Sequence, residues 1–228
     1  MLTVIYPKVS SLAQYVAKYD FFIVGELHGI EQNALIMQEM IDAVLTLNEE
    51  IGIAFEWVLT EKEYEEIQAF VDNRLETIKT PSFFLNSDGR VTQSHLALLH
   101  HLRLLNQKKR GRVRLFIFDG LNVSTEVDLA KNLLHIRSEI SCPILVETGT
   151  VHAAKDEINT MAGVLAKTSS VFSTFIHYET GLVNVEGEVL NVRDSLSQQT
   201  GPQNLFDATI VVQKAEPFPG SIPLTISR

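Results

Sequence analysis

Four apolar runs in this sequence each end on residues that can take up or release a proton. The runs are 21–25, 51–55, 113–118 and 144–146. The ionisable residues that follow them are Glu26 and His28, then Glu56, then Asp119, and finally Glu147 and His152. A charged side chain beside a buried segment needs a partner, so each ending indicates either a satisfied cap or a working site.

Carboxylates grouped with imidazoles can activate water in two ways. They can bind a divalent ion that lowers the pKa of a water molecule, or a carboxylate can orient an imidazole that acts as a general base. Oxygen and nitrogen ligands without sulfur suit zinc, manganese or iron. The sequence therefore predicts a hydrolase of a small-molecule or peptide substrate. Its predicted catalytic residues, which are also the alternative metal ligands, are Glu26, His28, Glu56 and His152, with Asp119, Glu147 and His177 as additional candidates.

The remaining histidines have weaker claims to a site. His95, His100, His101 and His135 lie in helical patterns, and we expect structural roles for them. His177 ends the apolar segment 171–178, where a place in the core and a place at the rim of the site are both open.

Other catalytic templates are missing from the sequence. It contains no G-x-S-x-G, GxxxxGK[ST] or H-E-x-x-H motif, and no GxGxxG follows a predicted strand.

A net charge of −9 repels phosphate backbones and anionic lipids, so neither nucleic acid nor membrane is expected as a partner. The basic run 108–114 fits the end of a helix. Cys142 is the only cysteine, which excludes an intrachain disulfide and zinc-thiolate sites. Without a signal-like or membrane-spanning segment, we expect a cytoplasmic protein.

The elements that must position these residues form a strand and helix alternation. The four runs are rich in Val, Ile and Phe without strict alternation, which is typical of central strands covered on both faces. Helical patterns cover 31–47, 93–107 and 126–139, and a Thr60–Glu63 capping box opens another helix between the second and third runs. This order predicts a three-layer α/β fold with a mostly parallel sheet, whose carboxyl edge collects the ionisable residues.

The remainder of the chain follows a different pattern. We predict a helix over 154–167 and added strands over 171–178, 181–192 and 207–214, with an antiparallel arrangement open and a turn at Glu186–Gly187. The chain is predicted to be one domain over 1–228, with an extended tail over 215–228. Segment 80–90 is either a lid over the site or a loop whose two phenylalanines pack on the core.

Two short motifs and the residues between them resemble a known superfamily. GELH at 25–28 and GTVH at 149–152 are both G-x-x-H motifs, and Glu56 stands in IAFEW. HLALLHHLRLLNQ is followed by RVRLFIFDG, as in the esterase-type members. The chain thus resembles, over about 20–155, the superfamily that joins erythromycin esterase-like enzymes, ChaN-like haem-binding proteins and the TIKI/TraB metalloprotease group.

The resemblance implies a site and three alternative functions. Glu26, His28, Glu56 and His152, together with Asp119, match the polar constellation of the superfamily. The esterase-like branch implies an imidazole general base without a required metal, the TIKI branch a metal-dependent peptidase, and the ChaN branch a haem site. The chain lacks the large helical insert that shapes the macrolide pocket, so macrolide hydrolysis is not expected. Hydrolysis of an ester or amide is the first hypothesis, and haem or metal binding without turnover is the alternative.

Overall fold

The computed structural model describes residues 2–85, 88–120, 125–156, 160–185, 188–196, 203–219 and 225–226. Its strands are β1 (Leu2–Ile5), β2 (Phe21–Glu26), β3 (Ile51–Phe55), β4 (Ile78–Lys79), β5 (Val113–Ile117), β6 (Ile144–Gly149), β7 (Val171–Tyr178), β8 (Leu182–Val185), β9 (Glu188–Asn191), β10 (Ala208–Val212) and β11 (Thr225–Ile226). Its α-helices are α1 (Ala13–Val16), α2 (Gln32–Leu47), α3 (Glu61–Val71), α4 (Gln93–Lys108), α5 (Glu126–Glu139), α6 (Thr150–Ala153), α7 (Met161–Leu165) and α8 (Val192–Leu196).

The central sheet is parallel, as the strand and helix alternation predicts. Within the described residues it has seven strands in the order β1-β10-β7-β2-β6-β3-β5. All six pairings between neighbours are parallel. The predicted α/β class with a mostly parallel sheet is therefore confirmed.

The described strands after residue 170 divide among three arrangements, one of which is the antiparallel pair of β11 with β4. The predicted strands at 171–178 and 207–214 appear as β7 and β10, and both join the central sheet in parallel. Only β8 and β9 form a separate antiparallel hairpin. The predicted turn at Glu186–Gly187 lies outside the described residues. β1, which the sequence patterns did not predict, extends the sheet beside β10.

Both faces of the sheet are covered by helices. Side chains of a strand alternate between its faces, so Phe22 and Val24 of β2 pack with α2 and α4, whereas Phe21 and Ile23 pack with α5 and α7. Burial on both faces explains why these runs are continuously apolar. No described helix is both long and apolar enough to cross a membrane.

Helix boundaries follow the capping chemistry. Thr60 and Glu63 form the predicted reciprocal capping box of α3. The prediction of one helix over 154–167 is wrong, because residues 154–156 are not helical and α7 begins only at Met161. The Thr160 hydroxyl accepts the Gly163 N–H at 3.2 Å and fixes this later start.

Segment 80–90 packs on the core through its aromatic residues. Phe83 and Phe84 are buried in a short 3₁₀ turn, Ser82–Leu85, and Phe84 meets the edge of Trp57 with ring centroids 4.9 Å apart. The sequence left two alternatives for this segment, and the prediction that its two phenylalanines pack on the core is confirmed.

The hairpin and the tail are attached next to His28. The described part of the tail pairs at Pro217 with Ile30, and β11 pairs with β4. Gly29 has φ +85°, and a Cβ there would lie 1.8 Å from the backbone oxygen of Asn184 in β8. Glycine is therefore required for the hairpin to pack against the segment that carries His28.

We predict that Gly29→Ala lowers the free energy of unfolding by about 2 to 4 kcal/mol, because strain at positive φ adds to a backbone clash. Gly111→Ala is the matched control, since Gly111 has φ +74° but nothing lies within 4 Å of its added Cβ. Its expected cost is about 1 kcal/mol. Urea unfolding of both variants measures the difference, and equal losses would contradict the close packing of β8 on Gly29.

Candidate functional site

Three carboxylates meet where the central strands end. β6 lies between β2 and β3, and in register Glu26 pairs with Gly149 and Phe55 with Glu147. The Glu56 N–H donates to the Glu147 carbonyl at 3.3 Å. The side chains of Glu26, Glu56 and Glu147 are all buried and line one narrow pocket. The carboxyl edge of the sheet thus brings together the acids that the sequence placed after separate strands.

Glu26 and His28 form a hydrogen-bonded pair. Glu26 Oε1 contacts His28 Nδ1, and Asn33 donates an amide hydrogen to the other oxygen. Glu26 thereby holds His28 Nδ1. The His28 side chain is 33% exposed and lines a cleft together with Glu56 and Arg90. The arrangement is that of an imidazole oriented by a carboxylate.

The proton equilibria of this pair depend on each other. Burial and the neighbouring Glu147 and Glu56 raise the pKa of Glu26, and His28 opposes them. Burial lowers the pKa of His28, but the Glu26 carboxylate outweighs burial and raises it to about 9. His28 is therefore an imidazolium at neutral pH.

Glu56 lies at the centre of the polar group. Its Oε2 accepts hydrogen bonds from the Thr148 hydroxyl and, at 2.9 Å, from the Gly149 N–H. Burial raises the pKa of Glu56. His152, His28 and these two hydrogen bonds lower the pKa by more than burial raises it, so the pKa of Glu56 lies below its ordinary value. Glu56 is thus a carboxylate despite its burial.

Arg90 connects Glu56 to two aspartates. Its Nη1 donates to Glu56 Oε1 at 3.3 Å and to Asp119 Oδ2 at 3.0 Å, and its Nε donates to Asp88 Oδ2 at 3.0 Å. The guanidinium also lies over the Phe83 ring, 5.0 Å from its centroid. Asp119 therefore reaches the site through Arg90, and segment 80–90 contributes polar groups to the site as well as core aromatics.

His152 has a carboxylate partner of its own. It lies on α6, where its Nδ1 is 2.7 Å from Glu126 Oε1 and its Nε2 is 3.6 Å from Glu56 Oε1. Burial lowers the pKa of His152, but Glu126 and Glu56 outweigh burial and raise it. Glu126 is fixed in turn by the Met161 N–H, which donates to its second oxygen at 2.7 Å.

Gly149 lies next to both imidazoles. A Cβ built on it would lie 3.5 Å from His28 Cε1 and 3.5 Å from His152 Cδ2. These two ring atoms are therefore no more than twice that distance apart. A reacting group bound over Gly149, which has no side chain of its own, would be within reach of both rings.

The two remaining histidines of interest differ in position. His95 is fully buried, and its Nε2 lies 3.2 Å from both oxygens of Glu147. Its Nδ1 accepts the Thr92 N–H at 3.0 Å, so the ring proton is on Nε2 and is donated to Glu147. His177 is not part of the cluster and contacts Phe175.

A cleft opens above the acids. It has a volume of about 350 Å³, within the range of small-ligand pockets. Its lining residues are Leu27, His28, Glu56, Asp88, Arg90 and Val185. A cavity of about 450 Å³ lies beside β5, but no histidine lines it, whereas His28 and Glu56 line the first cleft.

The residues present do not fit a resident divalent ion. Across the described ranges, no group of three or more His, Cys, Asp or Glu side chains is arranged to hold a metal. The oxygens that a cation would need face hydrogen-bond donors, since Glu26 accepts from Asn33, and Glu56 accepts from Gly149 and Arg90. The Arg90 guanidinium also supplies positive charge to Glu56 and Asp119, two carboxylates that a cation would need as ligands.

Sequence reasoning missed four residues that surround the predicted group: Asn33, Arg90, His95 and Glu126. Helical spacing assigned His95 to a structural role, although it bonds directly to Glu147. Glu126 was recognisable only as an acid in the first turn of the helix after Asp119, and Arg90 stood in a loop with no periodic signal. Their contribution depends on contacts between distant segments.

Comparisons with known proteins give fold-level likeness only. No family model matches the chain, and no curated protein does. One similar solved structure is described as cofacial heme binding to ChaN of Campylobacter jejuni; it is 9% identical, covers 74% of this chain and 85% of that chain, and has a TM-score of 0.44. Another, the type III effector HopBA1, is 8% identical, covers 91% and 94%, and has a TM-score of 0.45. These values assign neither a family nor an activity.

We predict that the His28 ring titrates near pH 9 and that Glu26→Gln moves this titration down by at least ~2 pH units, because the carboxylate that stabilises the imidazolium is lost. The raised pKa stabilises the fold fully below pH ~6.5, and this contribution is lost as pH rises through about 9. NMR titration of the histidine rings measures the shift. An unchanged His28 titration in Glu26→Gln would show that the pair does not control it.

Proposed function

We propose that this protein is a hydrolase that cleaves an ester or amide by acid–base catalysis between two carboxylate-supported imidazoles. The observation that carries the proposal is that the pairs Glu26–His28 and Glu126–His152 both lie next to Gly149, with Glu56 Oε1 3.6 Å from His152 Nε2. Each imidazole has its own orienting carboxylate, which is the arrangement that general acid–base work requires.

Glu56 and His152 would hold and activate the water. The 3.6 Å between His152 Nε2 and Glu56 Oε1 is longer than a hydrogen bond, yet one water molecule can donate a hydrogen to each atom. As the water oxygen attacks the acyl carbon, His152 Nε2 takes one of its protons. Glu126 holds Nδ1 and stabilises the imidazolium that forms.

His28 would act as the acid. Its raised pKa keeps it protonated near neutral pH, and its exposed side faces the cleft. It stabilises negative charge on the acyl oxygen and then gives its Nε2 proton to the leaving oxygen or nitrogen as the acyl bond breaks. The two rings have opposite roles because Glu26 raises the pKa of His28 to about 9, which favours its use as the acid.

The test is a screen of small esters and peptides with the wild-type chain and Glu56→Gln. We expect Glu56→Gln to lower kcat/KM by roughly 100-fold or more, because the water loses an anionic acceptor. Glu49→Gln, which changes an exposed glutamate paired with Lys109, is the matched control and should keep the wild-type rate. Equal rates in wild type and Glu56→Gln would contradict the proposal.

The pH profile of the active substrate provides a second, independent readout. The rate should rise through the raised pKa of His152, as the base loses its proton, and fall through about 9, as His28 loses its own. In His28→Gln the alkaline limb should disappear. An alkaline limb that survives this substitution would exclude His28 as the acid.

Haem binding is the second candidate function, and the geometry of His28 supports it. An iron-ligating histidine usually donates its other ring N–H to a carboxylate, as His28 does to Glu26. Adding haemin to the purified wild-type protein and its variants distinguishes haem binding from hydrolysis. A Soret shift that is lost in His28→Ala and kept in His135→Ala, which removes an exposed histidine on α5, would favour haem binding. No shift, together with hydrolysis, favours the enzyme.

A further inference from the structure

A buried chain of hydrogen bonds leads to His28 from two residues outside the cleft. The Tyr178 hydroxyl on β7 donates to Asn33 Oδ1 on α2. Asn33 Nδ2 donates to Glu26 Oε2 and, at 2.9 Å, to the Leu27 carbonyl. Glu26 Oε1 holds His28 Nδ1. Tyr178, Asn33 and Glu26 are each 5% exposed or less, so solvent does not replace these bonds.

The direction of each bond in this chain is fixed. Asn33 Nδ2 faces the Leu27 carbonyl, an oxygen that can only accept, so the nitrogen lies on that side and also donates to Glu26 Oε2. Asn33 Oδ1 therefore faces Tyr178, which must donate. Burial, with Glu26 and Glu147 nearby, raises the pKa of Tyr178 well above its usual value, so this hydroxyl keeps its proton.

We infer that Tyr178 and Asn33 are positioning residues that set the orientation of Glu26 and thereby the orientation of the His28 ring toward the cleft. The bond from Asn33 fixes one carboxylate oxygen, which leaves the other directed at His28 Nδ1. Tyr178 prevents the Asn33 amide from turning its oxygen toward the carboxylate. Neither residue lines the cleft, so both act on the reaction only through Glu26.

The other charged groups around the pair do not provide this control. Three groups act on His28: Glu56, which follows β3, Arg90 in segment 80–90, and His152 on α6. Glu147 on β6 acts on Glu26. Their influence on the pair is electrostatic, whereas Asn33 and His28 hydrogen-bond to the Glu26 carboxylate.

The test compares Tyr178→Phe and Asn33→Leu with Tyr64→Phe. Tyr64 is the matched control, because its hydroxyl also donates a hydrogen bond, to the Leu115 carbonyl at 3.1 Å. This bond lies at β5, outside the chain of hydrogen bonds that leads to His28. Proton NMR of ¹⁵N-histidine-labelled protein follows the His28 Nδ1–H resonance. We expect this resonance to move or broaden in Tyr178→Phe and Asn33→Leu and to stay unchanged in Tyr64→Phe.

The kinetic arm rests on the proposed function. With an active substrate, Tyr178→Phe should lower kcat roughly 10-fold and Asn33→Leu up to roughly 100-fold, with KM unchanged, because the substrate touches neither residue. If no substrate is hydrolysed but the resonance moves, the proposed function fails and the positioning roles stand. An unmoved resonance in Tyr178→Phe overturns the positioning roles, and so does an equal change in Tyr64→Phe. The Tyr178→Phe result tests the positioning roles even if the Asn33→Leu variant does not fold.

Discussion

The arrangement of this site depends on a buried carboxylate, that of Glu56. A carboxylate taken out of water is stable only when its oxygens accept hydrogen bonds or face positive charge. Glu56 meets this requirement with groups from three separate segments: Thr148 and Gly149 at the end of β6, Arg90 at the end of segment 80–90, and His152 on α6. Satisfying one charge therefore brings together the segments that carry the other polar residues.

The strand order makes this convergence possible. β6 lies between β2 and β3 although it comes later in the chain, so Glu147 enters the sheet between the strands that deliver Glu26 and Glu56. Helices on both faces exclude water from the strands, and the polar groups have only the carboxyl edge left to occupy. The aromatic stack of Phe55 and Trp57, with ring centroids 4.2 Å apart, adjoins the same pocket. The acids thus lie between a dry core and an open cleft.

The sequence was sufficient for the four central strands β2, β3, β5 and β6 and for the acids at their ends, because both follow from local patterns. Continuous apolar runs predicted the central strands, and the parallel alternation predicted that Glu26, Glu56 and Glu147 would share an edge. The partners of these acids come from other segments: Glu126 supports His152, and His95 reaches Glu147 across 52 residues of sequence. No local pattern encodes such pairings. The parallel insertion of β7 and β10 also depended on pairing that their own residues do not specify, since an apolar strand fits either direction.

The central claim of the proposal is that the reaction takes place over Gly149, within reach of two imidazoles with opposite roles. The most direct measurement is the rate of hydrolysis by Gly149→Val, because Gly149 has φ −58°, which any residue can adopt, and an added Cβ makes ordinary contacts at 3.5 Å. The account predicts a folded variant in which the valine methyl groups fill the space over this position and lower kcat/KM by at least ~100-fold. A folded Gly149→Val that hydrolyses substrate at the wild-type rate would contradict it.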